Sequence, residues 1–230
     1  MTRYAFASLI LALTSHSLAL AVNDLAAPSK PFPHASVRFE QNATDGDVEV
    51  VFEVTGRSEG LAQLAVTAPD GRTVVDFKAP DASTLGIRQF IFESPEPTDV
   101  AGLKAAYPEG TYTFQGATAS GAQLRGKVTL KHELPVATSF VSPKANGSNV
   151  PINDLKIEWA PVNGMAGYIV ELEQDGLDVK LTARLSASEP KFAVPDGFLR
   201  PGTEYQLGIG TVSDDGNISY VETNFTTATE

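Results

Sequence analysis

Acidic side chains at predicted turns are the residues of this sequence best suited to chemistry or binding. Two segments carry them, Asp214-Asp215-Gly216-Asn217 and Glu93-Ser94-Pro95-Glu96-Pro97. Loops of β-proteins hold a large share of their binding residues. The candidate contacts to a partner are therefore Asp214, Asp215, Asn217, Glu93 and Glu96. The alternative is that both segments are solvated turns without a partner.

A calcium site is the metal chemistry that acidic turns could provide. Carboxylate oxygens are ligands that calcium prefers, and they cluster at Asp45-Gly46-Asp47 and again at Asp214-Asp215-Gly216-Asn217. Such a site needs three or more carboxylates at suitable spacing, and a hairpin turn with solvated charge is the competing interpretation. We predict no metal site and no cofactor.

Catalytic chemistry has little support in the sequence. Cysteine and the Gly-x-Ser-x-Gly motif are both absent, which argues against nucleophilic catalysis. His34 and His132 lie at the two ends of a strand-rich block and could act together only if those ends converge. We predict that the protein is not an enzyme. Two carboxylates could still meet in the fold and hydrolyse a polysaccharide, so a hydrolase remains an alternative.

The N-terminal sequence has the pattern of an export signal. Arg3 precedes an apolar run over residues 5–13, and Ala19-Leu20-Ala21 forms a small-x-small cleavage site. We predict a signal peptide over residues 1–21 and a periplasmic or secreted protein with no membrane segment after cleavage. The formal net charge of −11 argues against nucleic acid and anionic membranes as partners, since both attract Lys and Arg.

Beyond the signal, short segments alternate apolar and polar residues between turn signals. In residues 48–54 the side chains of Val48, Val50, Phe52 and Val54 share one side, while Glu49 and Glu53 face away. This pattern predicts an all-β fold of two tandem antiparallel β-sandwiches. We place a flexible leader at 22–34 and the sandwiches at 35–133 and 136–230.

Turn and cap residues predict the local connections. Asp-Gly pairs favour tight hairpins because both residues tolerate positive φ. Residues 98–106 predict one or two helical turns, with Thr98 as the N-cap and Asp99 near the positive helix end.

A tyrosine corner is predicted at Leu199-Arg200-Pro201-Gly202-Thr203-Glu204-Tyr205. In this device the ring packs into a β-sandwich, and its hydroxyl bonds to backbone a few residues upstream. Tyr107-Pro108-Glu109-Gly110-Thr111-Tyr112 has a similar arrangement in the first block, which suggests two related sandwich folds.

Together with Ile157-Glu158-Trp159 and Gly167-Tyr168-Ile169-Val170-Glu171-Leu172, the corner at Tyr205 resembles the fibronectin type III domain. The resemblance implies a seven-stranded sandwich at 136–230 in which Trp159 and Tyr205 are core residues, and it implies no activity. The Arg-Gly-Asp motif that binds integrins is absent. The block at 35–133 is similar in a general way to Ig-like domains of bacterial exported proteins.

We therefore expect an exported, non-enzymatic β-sandwich protein that serves binding, adhesion or structure in the bacterial envelope or secretome. Its partner would be a protein or a glycan. One alternative is the polysaccharide hydrolase. The other is an envelope assembly subunit that pairs with a partner through an edge strand, for which the lysine-poor segment 205–212 is a candidate.

Overall fold

The computed structural model describes residues 29–79, 86–96 and 99–229. The predicted signal peptide and the predicted N-cap Thr98 lie outside these residues. Among these residues, no helix is both long enough and apolar enough to span a membrane.

Strands dominate the described chain. In chain order they are β1 (Lys30–Pro31), β2 (His34–Asn42), β3 (Val48–Thr55), β4 (Leu61–Thr67), β5 (Thr73–Lys78), β6 (Gln89–Glu93), β7 (Gly110–Thr118), β8 (Gln123–Leu130), β9 (Phe140–Ser142), β10 (Gly147–Val150), β11 (Lys156–Trp159), β12 (Gly167–Gln174), β13 (Val179–Ser186), β14 (Lys191–Ala193), β15 (Glu204–Val212) and β16 (Ile218–Thr227). Helical structure is found in α1 (Val100–Ala106) and in a 3-10 turn at Asp175–Leu177.

Two sandwiches follow one another along the chain, as the alternating pattern predicts. In the first, the sheet β1-β8-β7-β4-β5 packs on β2-β3-β6, and a cluster including Phe39, Phe114 and Tyr112 fills the space between them. In the second, β13-β12-β15-β16 packs on β14-β11-β9 around a cluster that includes Trp159, Tyr168 and Tyr205.

The two sandwiches share one strand order. Strands β5-β4-β7-β8 of the first correspond to β13-β12-β15-β16 of the second, and β2-β3-β6 correspond to β9-β11-β14. Each also has a short strand that pairs in parallel with its last long strand, β1 on β8 and β10 on β16. The relation suggested by the two corner motifs is therefore visible in the topology.

One sheet runs through both sandwiches. Strand β2 of the first pairs in parallel with β16 of the second, with Glu40 opposite Ile218 and Asn42 opposite Tyr220. This pairing joins β2-β3-β6 and β13-β12-β15-β16 into a single eight-stranded sheet that also includes β10. Without it, β2 and the part of β16 that precedes the β10 pairing would present unpaired sheet edges.

Both tyrosine corners are confirmed. The hydroxyl of Tyr205 accepts a hydrogen bond from the backbone N–H of Arg200 at 3.0 Å. The hydroxyl of Tyr112 donates to the carbonyl oxygen of Pro108 at 3.1 Å. Both rings are buried, and each hydroxyl thereby ties the connection before its strand to the sandwich.

The hairpins at Asp70-Gly71 and Asp215-Gly216 form, and in both the positive φ is taken by the glycine alone. Gly71 and Gly216 each have φ of 87°, and the preceding aspartates do not enter this region. At the first of these turns Gly71 N–H donates to the Ala68 carbonyl at 3.0 Å, and Ala68 N–H donates to Arg72 at 2.8 Å. This is a three-residue loop in which a type I turn precedes a left-handed glycine.

Two other local expectations differ from the structure. The N-cap of α1 is Asp99, whose carboxylate accepts from Gly102 N–H at 3.0 Å. Part of the predicted flexible leader is ordered, because Lys30–Pro31 pairs with β8 and Phe32 belongs to the core of the first sandwich. The described sandwich thus starts before residue 35.

The proposed edge strand is also wrong. Residues 205–212 belong to β15, which pairs with β12 on one side and with β16 on the other. Its backbone groups are already used within the sheet, so this strand is not open to a partner.

Replacement of Tyr205 by phenylalanine tests the second corner. The change leaves the N–H of Arg200 without its acceptor, so we expect a loss of about 1–3 kcal/mol in the free energy of unfolding. Urea unfolding followed by Trp159 fluorescence measures it. Tyr107→Phe is the control, because the Tyr107 hydroxyl has no hydrogen bond among the described residues, and we expect a change within about 0.5 kcal/mol. Equal effects of the two variants would contradict the corner's role.

Candidate functional site

Asn217 lies at the joint between the two sandwiches, which is the place where β2 pairs with β16. Its side-chain oxygen accepts from Phe39 N–H at 2.8 Å, and its Nδ2 donates to the carbonyl oxygens of Lys131 and Glu133, both at 2.9 Å. Asn217 is 1% exposed. One side chain from the second sandwich therefore binds both strand β2 and the linker, which is the segment 131–136 that follows β8.

Buried hydroxyls continue this joint. Ser219 Oγ donates to the carbonyl oxygen of Pro135 at 2.7 Å and accepts from Gln41 Nε2 at 2.9 Å. Thr211 Oγ1 donates to the carbonyl of Val136 at 2.8 Å. Buried polar side chains thus bind the backbone carbonyls of the linker. Loss of a buried hydrogen bond lowers the free energy of unfolding more than loss of an exposed one.

A groove of about 680 Å³ follows the joint along the outer face of the eight-stranded sheet. Its walls come from β2, β3 and β6 of the first sandwich and from β12, β13 and β16 of the second. The volume is in the range of ligand-binding clefts. Neither sandwich forms this groove alone.

Tyr220 lies in the groove beside the line where β2 and β16 meet. Its ring packs against strand β15 at Gly210, where a Cβ atom would lie only 2.9 Å from Tyr220 Cε1. Glycine at position 210 therefore provides the space for the aromatic ring. Burial, with the charges of Glu171 and Glu40, raises the pKa of Tyr220, so its hydroxyl stays protonated.

Negative charge dominates the lining of the groove. Nine acidic and three basic side chains line it, an excess of six negative charges when all are ionised. The acidic residues are Glu40, Asp45, Asp47, Glu49, Glu53, Glu93, Glu96, Glu171 and Glu222. The basic residues are Arg38, Lys180 and Arg184.

Two of the three cations are already paired with groove carboxylates. Arg38 lies 2.7 Å from Glu40 and 3.7 Å from Glu53. Lys180 lies 3.5 Å from Glu171 and also contacts Glu173. In the described part of the chain, no salt bridge involves Glu49, Glu93, Glu96 or Glu222, so the groove retains uncompensated negative charge.

Burial changes the acidity of the carboxylates at the centre of the groove. It raises the pKa of Glu49 from 4.5 to about 7, and the charges of Glu40, Glu93 and Glu96 add to the rise. Burial also raises the pKa of Glu40, although Arg38 opposes that shift. Glu49 is therefore close to half protonated at neutral pH.

Glu222 extends this group onto the second sandwich. It accepts hydrogen bonds from Asn42 Nδ2 at 2.9 Å and from Gln206 Nε2 at 3.4 Å. Burial raises its pKa as well, with a contribution from the charge of Asp45.

The residues predicted from sequence do not lie together in one site. Glu93 and Glu96 line the groove. Asn217 is buried in the joint, where it contacts β2, and Asp215 pairs with Lys131 of the linker at 2.9 Å. Asp214 is exposed.

The histidines and the other acidic turn have separate local roles. His34 lies 3.9 Å from Glu53, while His132 Nε2 is 2.8 Å from the Tyr107 carbonyl oxygen. In the turn after β2, Asp45 accepts from Asp47 N–H at 3.1 Å. Among the described residues, no group of three or more acidic or histidine side chains is placed to hold a metal ion.

Sequence analysis missed Glu40, Glu49 and Tyr220 as members of a site. The alternation in β3 was a usable signal, because it places Glu49 and Glu53 on the side away from the core. Only the pairing of β2 with β16 shows that this side faces a second wall.

No protein-family model matches the sequence, and no curated protein matches it. Among solved structures, the fibronectin(III)-like modules of Clostridium thermocellum CbhA are 11% identical, with a TM-score of 0.34, covering 85% of this chain and 91% of that one. Domains FN1–FN3 of chicken CNTN1 are 15% identical, with a TM-score of 0.32, covering 86% and 66%. A two-domain fibronectin type III segment of chicken tenascin is 13% identical, with a TM-score of 0.31, covering 84% and 98%.

Strand order and the corner at Tyr205 define the class of the molecule. It is a tandem of two β-sandwiches with the same strand order, and the C-terminal one carries the tyrosine corner at Tyr205.

Replacement of Asn217 by alanine tests the joint. The variant leaves three backbone groups without their partner, so we expect the free energy of unfolding to fall by about 3 kcal/mol or more. Small-angle scattering should also show a wider range of arrangements of the two sandwiches. Asp215→Asn in the same loop is the control, and it should have much less effect because its ion pair with Lys131 is exposed. If Asn217→Ala were as stable and as compact as Asp215→Asn, the assignment of Asn217 to the joint would be wrong.

Proposed function

We propose that the protein is an exported, non-enzymatic binding module, and that the acidic groove between its sandwiches is the recognition surface. The observation that carries this proposal is a concave, ligand-sized groove to which both sandwiches contribute. The signal-like N-terminal sequence supports work in the periplasm or outside the cell.

The joint supports a binding role because it positions the two walls in advance. Asn217, Ser219 and Thr211 fix the linker and β2 against β16 through buried hydrogen bonds. A surface that is already organised loses less conformational entropy when a ligand binds.

The lining indicates a positively charged ligand. Carboxylates without a cation partner among the described residues attract ammonium or guanidinium groups, and the face of an aromatic ring such as Tyr220 attracts them too. An extended polypeptide segment rich in Lys or Arg presents several of these cations, which matches the nine acidic side chains of the lining. We therefore favour a basic segment of a partner protein over a neutral glycan.

A lysine decapeptide carrying a fluorescent label is the first probe, with anisotropy as the readout. We expect the variant Glu49→Gln/Glu93→Gln to bind it at least about tenfold more weakly than the wild type, a loss of about 1.4 kcal/mol. Tyr220→Leu should weaken binding as well, because it removes the aromatic face.

The matched control is Asp76→Asn/Glu189→Gln. It removes two acidic residues that are exposed and lie outside the groove, so it has the same net charge as the groove variant. We expect it to bind like the wild type. Equal weakening of both variants would mean that the peptide responds to total charge, and the groove would lose its assigned role. Binding of neutral oligosaccharides by the wild type but not by the groove variant would identify a glycan as the ligand.

Polysaccharide hydrolysis is a second candidate, and Glu49 is the observation that favours it. A carboxylic acid with a pKa of about 7 suits a general acid, and Glu40 lies directly opposite it on the neighbouring strand. Release of reducing ends from a polysaccharide panel measures turnover. Activity that Glu49→Gln abolishes would establish this candidate in place of the non-enzymatic one.

A further inference from the structure

Glu40 and Glu49 face each other across two neighbouring strands. They are register partners in the β2–β3 pair, and directly opposed residues have Cβ atoms about 4.5–5.5 Å apart. Both side chains line the groove. Two like charges in such a position destabilise a sheet unless something neutralises one of them.

Of this pair only Glu40 is bound by a cation, Arg38, which it shares with Glu53, and among the described residues no salt bridge involves Glu49. On the first sandwich the pair is faced by Arg38 of β2, Glu53 of β3, Glu93 of β6 and Glu96, with Asp45 and Asp47 at the turn. On the second it is faced by Glu171 of β12, Lys180 and Arg184 of β13, and Tyr220 and Glu222 of β16. Arg38 binds Glu40 and Glu53, and Lys180 binds Glu171 and Glu173.

This pair lies where the two sandwiches join. Glu40 is also the register partner of Ile218, at the first position of the β2–β16 pairing. The charge of Glu171, from the other wall, acts on Glu40. Negative charge on Glu40 therefore repels Glu171 of the second sandwich. This repulsion acts beside the β2–β16 pairing, which has only three register pairs.

We propose that Glu40 and Glu49 form a proton-binding pair that controls the joint: a bound proton tightens the pairing of β2 with β16, and its loss loosens that pairing. The proton would let one carboxyl donate a hydrogen bond to the other in place of charge repulsion. The control acts on the fold itself and does not depend on the ligand of the groove.

The acidity of the groove sets the pH range. The pKa of Glu49 is raised in the folded protein from 4.5 to about 7, so the folded state holds a proton that the unfolded state releases. A group of this kind contributes stability that is complete below pH 4.5 and is lost as the pH rises through 7. In our proposal this loss of stability falls on the joint, where Glu171 faces Glu40, and the joint should loosen between about pH 5 and pH 8.

Amide hydrogen exchange and carboxyl NMR titration test the proposal without any ligand. The N–H of Ala43 bonds to the Tyr220 carbonyl at 2.8 Å across the joint. After correction for the intrinsic exchange rate, we expect its protection to fall about tenfold or more from pH 5.5 to pH 8, as for a group shifted by at least one pKa unit. The Glu49 carboxyl carbon should titrate with a midpoint near 7.

Glu49→Gln removes the titrating group and should make the protection of Ala43 independent of pH within about twofold. Glu189→Gln, an exposed change outside the groove, should keep the wild-type profile. Should Glu49→Gln fail to fold, Glu93→Gln decides the matter, since loss of a neighbouring charge must lower the Glu49 midpoint and move the exchange profile with it.

A Glu49 midpoint near 4.5, or an Ala43 protection that does not change with pH in the wild type, would overturn the proposal. So would a pH-dependent profile that survives in Glu49→Gln. Because no peptide or glycan is present, these results are independent of whether the groove binds a basic segment.

Discussion

The pairing of β2 with β16 is the constraint on which the rest of the structure depends. It covers two sheet edges that would otherwise be open to other chains, and it converts two sandwiches into parts of one sheet. Asn217 supports it by satisfying a β2 amide and two linker carbonyls. Without this pairing, the side chains of the two sandwiches would not line one common groove.

Local signals were sufficient to predict the two sandwiches. The alternation in residues 48–54 depends only on the two-residue period of a strand, and a tyrosine corner is contained within six residues, from Arg200 to Tyr205. Turn chemistry was predictable as to position but not as to geometry. Asp70-Gly71 could not show whether one or both residues are left-handed, because that depends on how the flanking strands twist.

The joint was beyond such signals because its partners are distant in sequence. Phe39 and Asn217 are separated by 178 residues, and nothing in either segment identifies the other. Asn217 was therefore interpreted as a contact to a foreign partner, when its partner is the same chain. Glu40 was missed for a related reason, since an outward-facing glutamate on a strand is ordinarily exposed to solvent. It becomes a groove residue only after β12 and β16 of the second sandwich approach it.

The groove departs from the rules that the rest of the fold obeys. Corners, caps and hairpin glycines all agree with the local structure, whereas the opposed pair Glu40 and Glu49 places like charges where a sheet tolerates them least. Departures of this kind are concentrated at functional sites, because stability elsewhere can support them. Here the support is adjacent: the buried bonds of Asn217, Ser219 and Thr211 lie on the same joint as the repelling carboxylates. The charged groove thus lies beside these buried polar contacts, and this proximity allows the state of the groove to act on the joint.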